Sequence, residues 1–413
     1  MRATVVVLGD LARSPRTVLH ALALGRAGAD VDLVGFAEPA WRPVGALPSL
    51  TIWPLDSGAR SQGRATAPSY LLGATARSAG LFWGLTRLLI SAVPRPDVIL
   101  VQNPPGVPTL FVAWLAALLR RARLVIDWHN LTWGMLSLRV GRNHPLISVV
   151  SAYERIFGRW ADGNLFVSVA MKDALGRRWG LEGSVFHDRP ASAFHPLDEW
   201  DRQAHRGRLL TRLGERVDRV AALLVTSTSW SADEDFDLLF DALKTLDAQS
   251  ARHASPPHSR VVVLITGRGP GREAFEQRIV NTEFHRVGVY TAWLESDEYP
   301  RVLAAADLGI SLHRSASGLD LPMKVLDMFG AGLPVCALNY GPCLSELVTD
   351  GVNGVLFQTS AELAEHLRVL LDGLPAQSPS LERLRRGALR ERDTTWEDGW
   401  TSEAWPVLAP RHR

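Results

Sequence analysis

Apolar and polar positions come in blocks along this chain. Short β-branched runs occupy 4–8, 31–36, 50–53, 97–101, 124–127, 164–169 and 184–187. Segments of helical spacing lie between most of them, at 14–27, 70–92, 107–120, 145–160 and 171–179. Apolar strands separated by helices predict a parallel sheet covered on both faces. A second series follows at 221–226, 260–266, 287–290, 308–312, 334–338 and 354–357. Between the two series, 188–220 loses the pattern in Asp188-Arg189-Pro190, His195-Pro196 and a mixed-charge run. The reading is an α/β protein with a doubly wound, Rossmann-like domain over 1–190 and a second over 221–392. Residues 191–220 form the linker and a surface helix. Ligands of such sheets bind at the carboxyl ends of the strands, where strand order reverses. The cleft between two facing domains is the expected active site.

Composition narrows the classes. At 413 residues, with 46% hydrophobic and 21% charged positions, the chain is not disordered, collagen-like or a coiled coil. A net charge of +2 excludes a global field for nucleic acid. Two cysteines, Cys336 and Cys343, are too few for a disulfide framework and read as buried residues of a reducing compartment. The apolar start at 5–8 ends at once in Gly9-Asp10, too short for a signal peptide. The longest charge-free run, 98–119, is broken by Gln102, Asn103, Pro104, Pro105, Gly106 and Pro108, so no span is expected. A cytoplasmic protein, at most peripheral to a membrane, is expected. The arginine-flanked amphipathic stretch 70–93 reads either as core packing or as docking on an anionic membrane. Of 45 basic residues only Lys172, Lys244 and Lys324 are lysine, a bias that fits GC-rich coding. Each of the three is then a place to ask what an ammonium does that arginine's planar fork cannot.

In the first half, strand 4–8 runs through Gly9-Asp10 to Ser14-Pro15, a helix start able to face an anion. It is not GxGxxG, so NAD or FAD binding is poorly supported. Asp10 and Arg16 read either as loop polar residues or as acceptor contacts. Strand 97–101 ends in Gln102-Asn103-Pro104-Pro105-Gly106. Strand 124–126 ends in Asp127-Trp128-His129-Asn130, where His129 could take a proton or simply be structural.

In the second half, strand 260–266 ends in Gly267-Arg268-Gly269-Pro270-Gly271, where glycines would let a ligand near the backbone. Strand 221–226 ends in the hydroxyl-rich Thr226-Ser227-Thr228-Ser229-Trp230, and 231–237 reads as an acidic helix start. The strongest element is 315–330. Pro322 and Asp320 predict a helix start, and Asp320, Lys324 and Asp327 recur at i, i+4 and i+7 on one face. Open backbone N–H groups, a lysine and two carboxylates suit a sugar nucleotide: the first two hold the diphosphate, the acids accept ribose and sugar hydroxyls. The competing reading is a surface salt bridge.

At these residues the chain resembles the chitobiosyldiphosphodolichol β-mannosyltransferases, glycosyltransferase family 33. The blocks run in order: Gly9-Asp10 with Arg13-Ser14-Pro15-Arg16, Gln102-Asn103-Pro104-Pro105-Gly106, Asp127-Trp128-His129-Asn130, Asn143-His144-Pro145, Ser227-Thr228-Ser229-Trp230 with Asp233-Glu234-Asp235-Phe236, Thr266-Gly267-Arg268-Gly269-Pro270, and Ser317-Gly318-Leu319-Asp320-Leu321-Pro322-Met323-Lys324. The resemblance implies a GT-B fold, an acceptor-binding first half, a donor-binding second half, and a helix at 393–413 crossing back to the first domain. It implies inverting transfer of mannose from GDP-mannose to a lipid-diphosphate-linked GlcNAc2-type acceptor, with GDP-mannose as co-substrate and no tightly bound metal or cofactor. The membrane surface and other glycosyltransferases are the implied partners. Family members of eukaryotes carry an N-terminal membrane anchor that is not seen here, which with the arginine bias suggests a bacterial source. By resemblance, Ser229, Gly267, Arg268, Gly269, Ser317, Gly318, Asp320, Leu321, Lys324 and Asp327 go to the donor. Gly9, Arg16 and Asn103 go to the acceptor. Asp10, His129 and Asp127 are the candidate bases. Competing classes are a GT-B enzyme with another donor or acceptor, a nucleotide-sugar epimerase and a silent glycosyltransferase scaffold.

Overall fold

A computed structural model describes residues 1–38, 40–55, 80–230, 234–253 and 260–410. Of the sequence readings, 70–79, 231–233 and most of the polar loop 249–259 lie outside the described residues. The chain divides into unit 1, Met1–His187 with Glu397–Arg413, and unit 2, Asp188–Trp396.

Unit 1 holds a seven-stranded parallel sheet in the order β3-β2-β1-β4-β5-β6-β7. The strands are β1 (Arg2–Asp10), β2 (Asp30–Phe36), β3 (Leu50–Pro54), β4 (Val98–Asn103), β5 (Arg123–Trp128), β6 (Gly163–Phe166) and β7 (Ser184–Val185). Val5 of β1 pairs with Leu33 and Leu100, so its apolar run is buried from both sides. Helices α1 (Pro15–Arg26), α2 (Thr109–Arg120), α3 (Thr132–Val140), α4 (Pro145–Trp160) and α5 (Val169–Trp179) connect the strands. The strand read over 164–169 stops at Phe166 because Ser168 caps α5, accepting from Met171 N–H at 3.0 Å. Strand order reverses between β1 and β4, and Gly9-Asp10 and Gln102-Asn103 end those two strands.

The last residues complete this unit. Arg123 donates to the carbonyls of Val407 and Ala409, both at 2.8 Å. Arg26 pairs with Glu397 at 2.6 Å. Trp400 donates its indole N–H to His20 Nδ1 at 3.1 Å.

Unit 2 repeats the plan with six parallel strands in the order β10-β9-β8-β11-β12-β13. They are β8 (Val220–Ser227), β9 (Arg260–Thr266), β10 (Val287–Ala292), β11 (Leu308–Ser311), β12 (Val335–Leu338) and β13 (Gly354–Phe357). Its helix α6 (Glu199–Arg212) lies in the stretch that reads as linker and surface helix, yet it is fastened to the sheet. Arg202 and Arg206 each reach Asp307 at 2.5 Å, and Asp307 also accepts from Leu223 N–H. Burial alone would raise the Asp307 pKa, but the two guanidinium groups hold it below the usual carboxylate range. Arginines on one helix face therefore make α6 part of unit 2.

Candidate functional site

The strand-order reversal of unit 2 lies between β8 and β11. Lys324 projects there from helix α7 (Met323–Gly330) and donates to the carbonyl of Ser227, the last residue of β8, at 3.0 Å. Its ammonium also pairs with Glu234 Oε1. The other Glu234 oxygen accepts from the Thr228 hydroxyl and from Ser229 N–H, the latter at 3.1 Å. An ammonium, a hydroxyl and a backbone N–H thus converge on one buried carboxylate. The same three donors suit an oxyanion of a nucleoside diphosphate. Glu234 is the residue sequence reasoning missed: beside Asp235 and Asp237 it reads as helix-start charge.

The loop before α7 differs from its expected form. The helix starts at Met323 with Pro322 as its cap, so Asp320 precedes it and does not share a face with Lys324 and Asp327. Asp320 is buried and turned inward. Ser315 and Ser317 hydroxyls donate to its Oδ1, and His313 Nε2 lies 3.3 Å from Oδ2. Nor are the loop's N–H groups open as expected. Gly318 N–H donates to Ser315 Oγ at 2.8 Å, and Leu319 N–H to the Ser315 and Ser317 hydroxyls. Gly318, at φ +73°, has nothing within 4 Å of where a side chain would begin, whereas Leu321 is buried. Asp320 and its two serines therefore brace the loop that delivers Lys324.

Asp327 lies one turn beyond Lys324. Burial pushes its pKa up to about 7, only partly countered by the Lys324 charge. It lies close enough to Tyr299 that its charge helps raise that phenol, whose hydroxyl donates to Ser227 Oγ at 3.0 Å. A carboxyl whose folded pKa is raised binds more protons folded than unfolded. Stability should therefore fall as pH rises from about 4 to about 7, then level off, by roughly 2–4 kcal/mol in total. Asp327→Asn should lose that slope and melt higher than the parent at pH 8. Parallel melting profiles for the two proteins would remove this assignment.

Gly267 and Gly269 are glycines for a reason nearer than a ligand. A Cβ at Gly267, whose φ is +148°, would meet the Thr228 carbonyl oxygen at 1.8 Å, and one at Gly269 the Ser229 carbonyl oxygen at 1.9 Å. The close approach read as the ligand's is made by the chain's own backbone. Trp230, at φ +54°, shapes this contact, and its ring stacks on Phe236 at 4.5 Å. Arg268 remains exposed, with its guanidinium 4.2 Å from the Trp293 ring centroid. That pair is a flat, cationic platform of the kind a nucleobase stacks on. Trp293 carried no sequence signal because the pairing spans two strand ends.

In unit 1 the expected residues separate into two groups. Asp127 is buried and accepts from Arg16 Nε at 2.7 Å and from a terminal guanidinium nitrogen at 2.8 Å. Arg16 also donates to the Phe186 carbonyl at 3.0 Å, and its guanidinium lies 4.7 Å from the Phe186 ring centroid. His20 Nε2 stands 3.4 Å from the same carboxylate. Burial favours the neutral acid, but Arg16 and His20 hold Asp127 far below the usual carboxylate range. A carboxylate so sequestered is no proton acceptor at neutral pH, so Asp127 leaves the set of candidate bases and Arg16 the set of acceptor contacts. Asn103 is likewise internal. Its amide donates to Glu154 at 2.7 Å and to the Asn130 carbonyl at 3.0 Å, while Glu154 accepts from Thr132 N–H at the start of α3. Asp10 and His129 remain at the carboxyl edge. The part-exposed Asp10 carboxylate accepts from Ala12 N–H, and half-buried His129 donates its backbone N–H to the Asn103 carbonyl. Gly9 lies beside Ser14 in the same turn.

Residues 14–187 match the family described as glycosyl transferase 4-like domain, and 221–373 that of glycosyl transferases group 1. The chain is 37% identical to the chitobiosyldiphosphodolichol beta-mannosyltransferase of Pongo abelii, over 98% of this chain and 91% of that protein. It is 38% identical to the protein of that name from Eremothecium gossypii, over 97% and 84%. It is 36% identical to UDP-glycosyltransferase TURAN of Arabidopsis thaliana, over 98% and 97%. Among solved structures it is similar to a glycosyltransferase of Rickettsia africae, with a TM-score of 0.69 and 13% identity over 99% of both chains. It is also similar to HepE of Anabaena in complex with UDP-glucose, with a TM-score of 0.65 and 18% identity over 97% and 98%. These structural likenesses speak for the fold alone, which is GT-B.

Proposed function

The chain belongs to the chitobiosyldiphosphodolichol β-mannosyltransferase family, and on that premise we propose that it moves mannose from GDP-mannose to a lipid-diphosphate-linked chitobiose, with inversion. It is a glycosyltransferase. The observation that carries the donor half is the Lys324 ammonium at the carboxyl end of β8, beside the Thr228 hydroxyl and Ser229 N–H.

In the proposed reaction the acceptor's 4-hydroxyl oxygen attacks C1 of mannose, and the bond from C1 to the diphosphate oxygen breaks. GDP leaves with the electron pair, and the acceptor proton passes to a base. Lys324 and the Ser229 N–H stabilise the charge that develops on the departing diphosphate. Asp327 accepts from the ribose hydroxyls, and the Arg268–Trp293 platform takes the base. Asp10 or His129 is the general base, since each keeps a proton-accepting side chain at the carboxyl edge of unit 1. A lipid-linked acceptor places the enzyme at a membrane surface.

The test is a donor screen with the purified full chain and an isoprenyl-diphosphate chitobiose. GDP-mannose should give a β-linked product by NMR, while UDP-glucose and UDP-N-acetylglucosamine give none. An α-linked product, or preferred use of a UDP-sugar as the TURAN name suggests for that relative, would overturn the reading. With lysine supplying the charge at the diphosphate, a chelator should change turnover by no more than about twofold.

A further inference from the structure

Helix α2 is apolar on both faces. Leu110, Ala113 and Ala117 are buried toward the sheet, while Phe111, Trp114, Leu115 and Leu118 recur at i, i+3, i+4 and i+7 on the other side. A helix apolar all round sits in a core or against something other than water. Here the outer face joins a row of rings. Trp83 meets Phe82 at 5.7 Å, Phe82 meets Phe111 at 6.2 Å, Phe111 meets Trp114 at 6.2 Å, and Trp114 meets Trp160 at 5.0 Å. The row crosses the helical residues 80–87, α2 and α4, and ends in two tryptophans, Trp83 and Trp160, that are 68% and 54% exposed. Along α4, Leu146, Val149 and Ile156 continue the exposed apolar surface, and the adjoining α3 adds Met135 and Leu138.

The exposed charges on the helices that build this face have one sign, and exposed Asp97 and Asp162 lie just outside the stretch that holds them. From residue 98 to residue 161 the only acids are Asp127 and Glu154, and both are buried. Arg121, Arg139, Arg142, Arg155 and Arg159 are exposed in the same stretch. Tryptophan and arginine ringing an apolar surface is the chemistry of a bilayer interface. A second copy would set like charges against like, which disfavours self-association through this face. Among the described residues no helix is long and apolar enough to cross a membrane.

The geometry points to this face of unit 1, built from α2, α3 and α4, as a docking surface for an anionic phospholipid bilayer. The apolar row enters the acyl boundary, and the five arginines meet the lipid phosphates. The inference rests on the proposed lipid-linked acceptor for its purpose and gives that acceptor's membrane a defined point of attachment.

Flotation of the full chain with vesicles tests it. The wild type should float with phosphatidylcholine vesicles containing about one-third phosphatidylglycerol, and at least tenfold less with phosphatidylcholine alone or at high salt. Leu146→Glu combined with Val149→Glu should lose at least tenfold of that binding, and so should Arg139→Glu with Arg142→Glu. Both variants should keep the wild-type melting temperature and wild-type turnover on a short-chain, detergent-dispersed acceptor. Failure of the wild type to float, or flotation of both variants like the wild type, overturns the docking surface. So does a wild-type dimer in light scattering that the Leu146/Val149 variant dissolves, because it assigns the face to a second copy. Flotation without turnover on any lipid-diphosphate acceptor leaves the docking surface standing and removes the acceptor reading.

Discussion

Replacing Lys324 by alanine is expected to lower kcat/KM for the donor by about a thousandfold or more, the scale of losing a preorganised charge at a leaving group. Stability should suffer too. Glu234 is buried and pairs with that ammonium, so its carboxylate would be left uncompensated at a cost of about 3–5 kcal/mol. The two effects can be separated. Lys324→Met with Glu234→Gln removes both charges and should recover most of the melting temperature while turnover stays lost. Lys324→Arg should not rescue turnover. The ammonium reaches the Ser227 carbonyl and Glu234 together as a compact point, which a planar guanidinium fork does not reproduce. Near-wild-type turnover in Lys324→Ala would discard the donor site proposed for unit 2.

Arg16→Ala is expected to destabilise the protein by about 3–5 kcal/mol, because it strands the buried Asp127 carboxylate. A thermal melt at neutral pH measures this, and the acceptor KM of whatever remains folded should stay close to that of the wild type. Replacing Arg16 and Asp127 together by leucine should recover much of the loss, as apolar replacements of buried pairs commonly do. The pH dependence has a definite sign. Asp127 has a depressed folded pKa, so its contribution is complete above the unfolded value of about 3.9 and fades as pH falls below it. An Arg16→Ala protein with unchanged melting temperature and a raised acceptor KM would return Arg16 to the acceptor site.

Among the described residues each strand is legible as a short apolar run; the central ones, such as β11 and β12, are buried on both faces and need no alternation to declare themselves. Lys324 was legible through its rarity and its place in the 315–330 block. What escaped notice depended on partners distant in the chain. Arg16 and Asp127 are 111 residues apart, and each alone looks like a polar residue at a strand end. Lys324 and Glu234 are 90 residues apart, and Glu234 is hidden among neighbouring acids. Asp320 shares the i, i+4, i+7 spacing with Lys324 and Asp327, but that spacing marks one face only inside a helix, and this helix begins at Met323. Gly267 and Gly269 read as positions of close approach, but that Thr228 and Ser229 are what approaches depends on a strand end almost forty residues away.

Unit 1 is discontinuous, and this has a consequence for how the protein is made. The Trp400 N–H that reaches His20, and the carbonyls that receive Arg123, leave the ribosome only after all of unit 2. At about 5–20 residues per second, roughly 10–45 s separate synthesis of β7 from synthesis of Val407. Throughout that interval unit 1 lacks its closing segment, and a nascent chain stalled before Trp400 is left with an unfinished domain behind one already synthesised in full. The segment that carries Trp400 and Val407 thus joins a unit whose strands were all synthesised before unit 2.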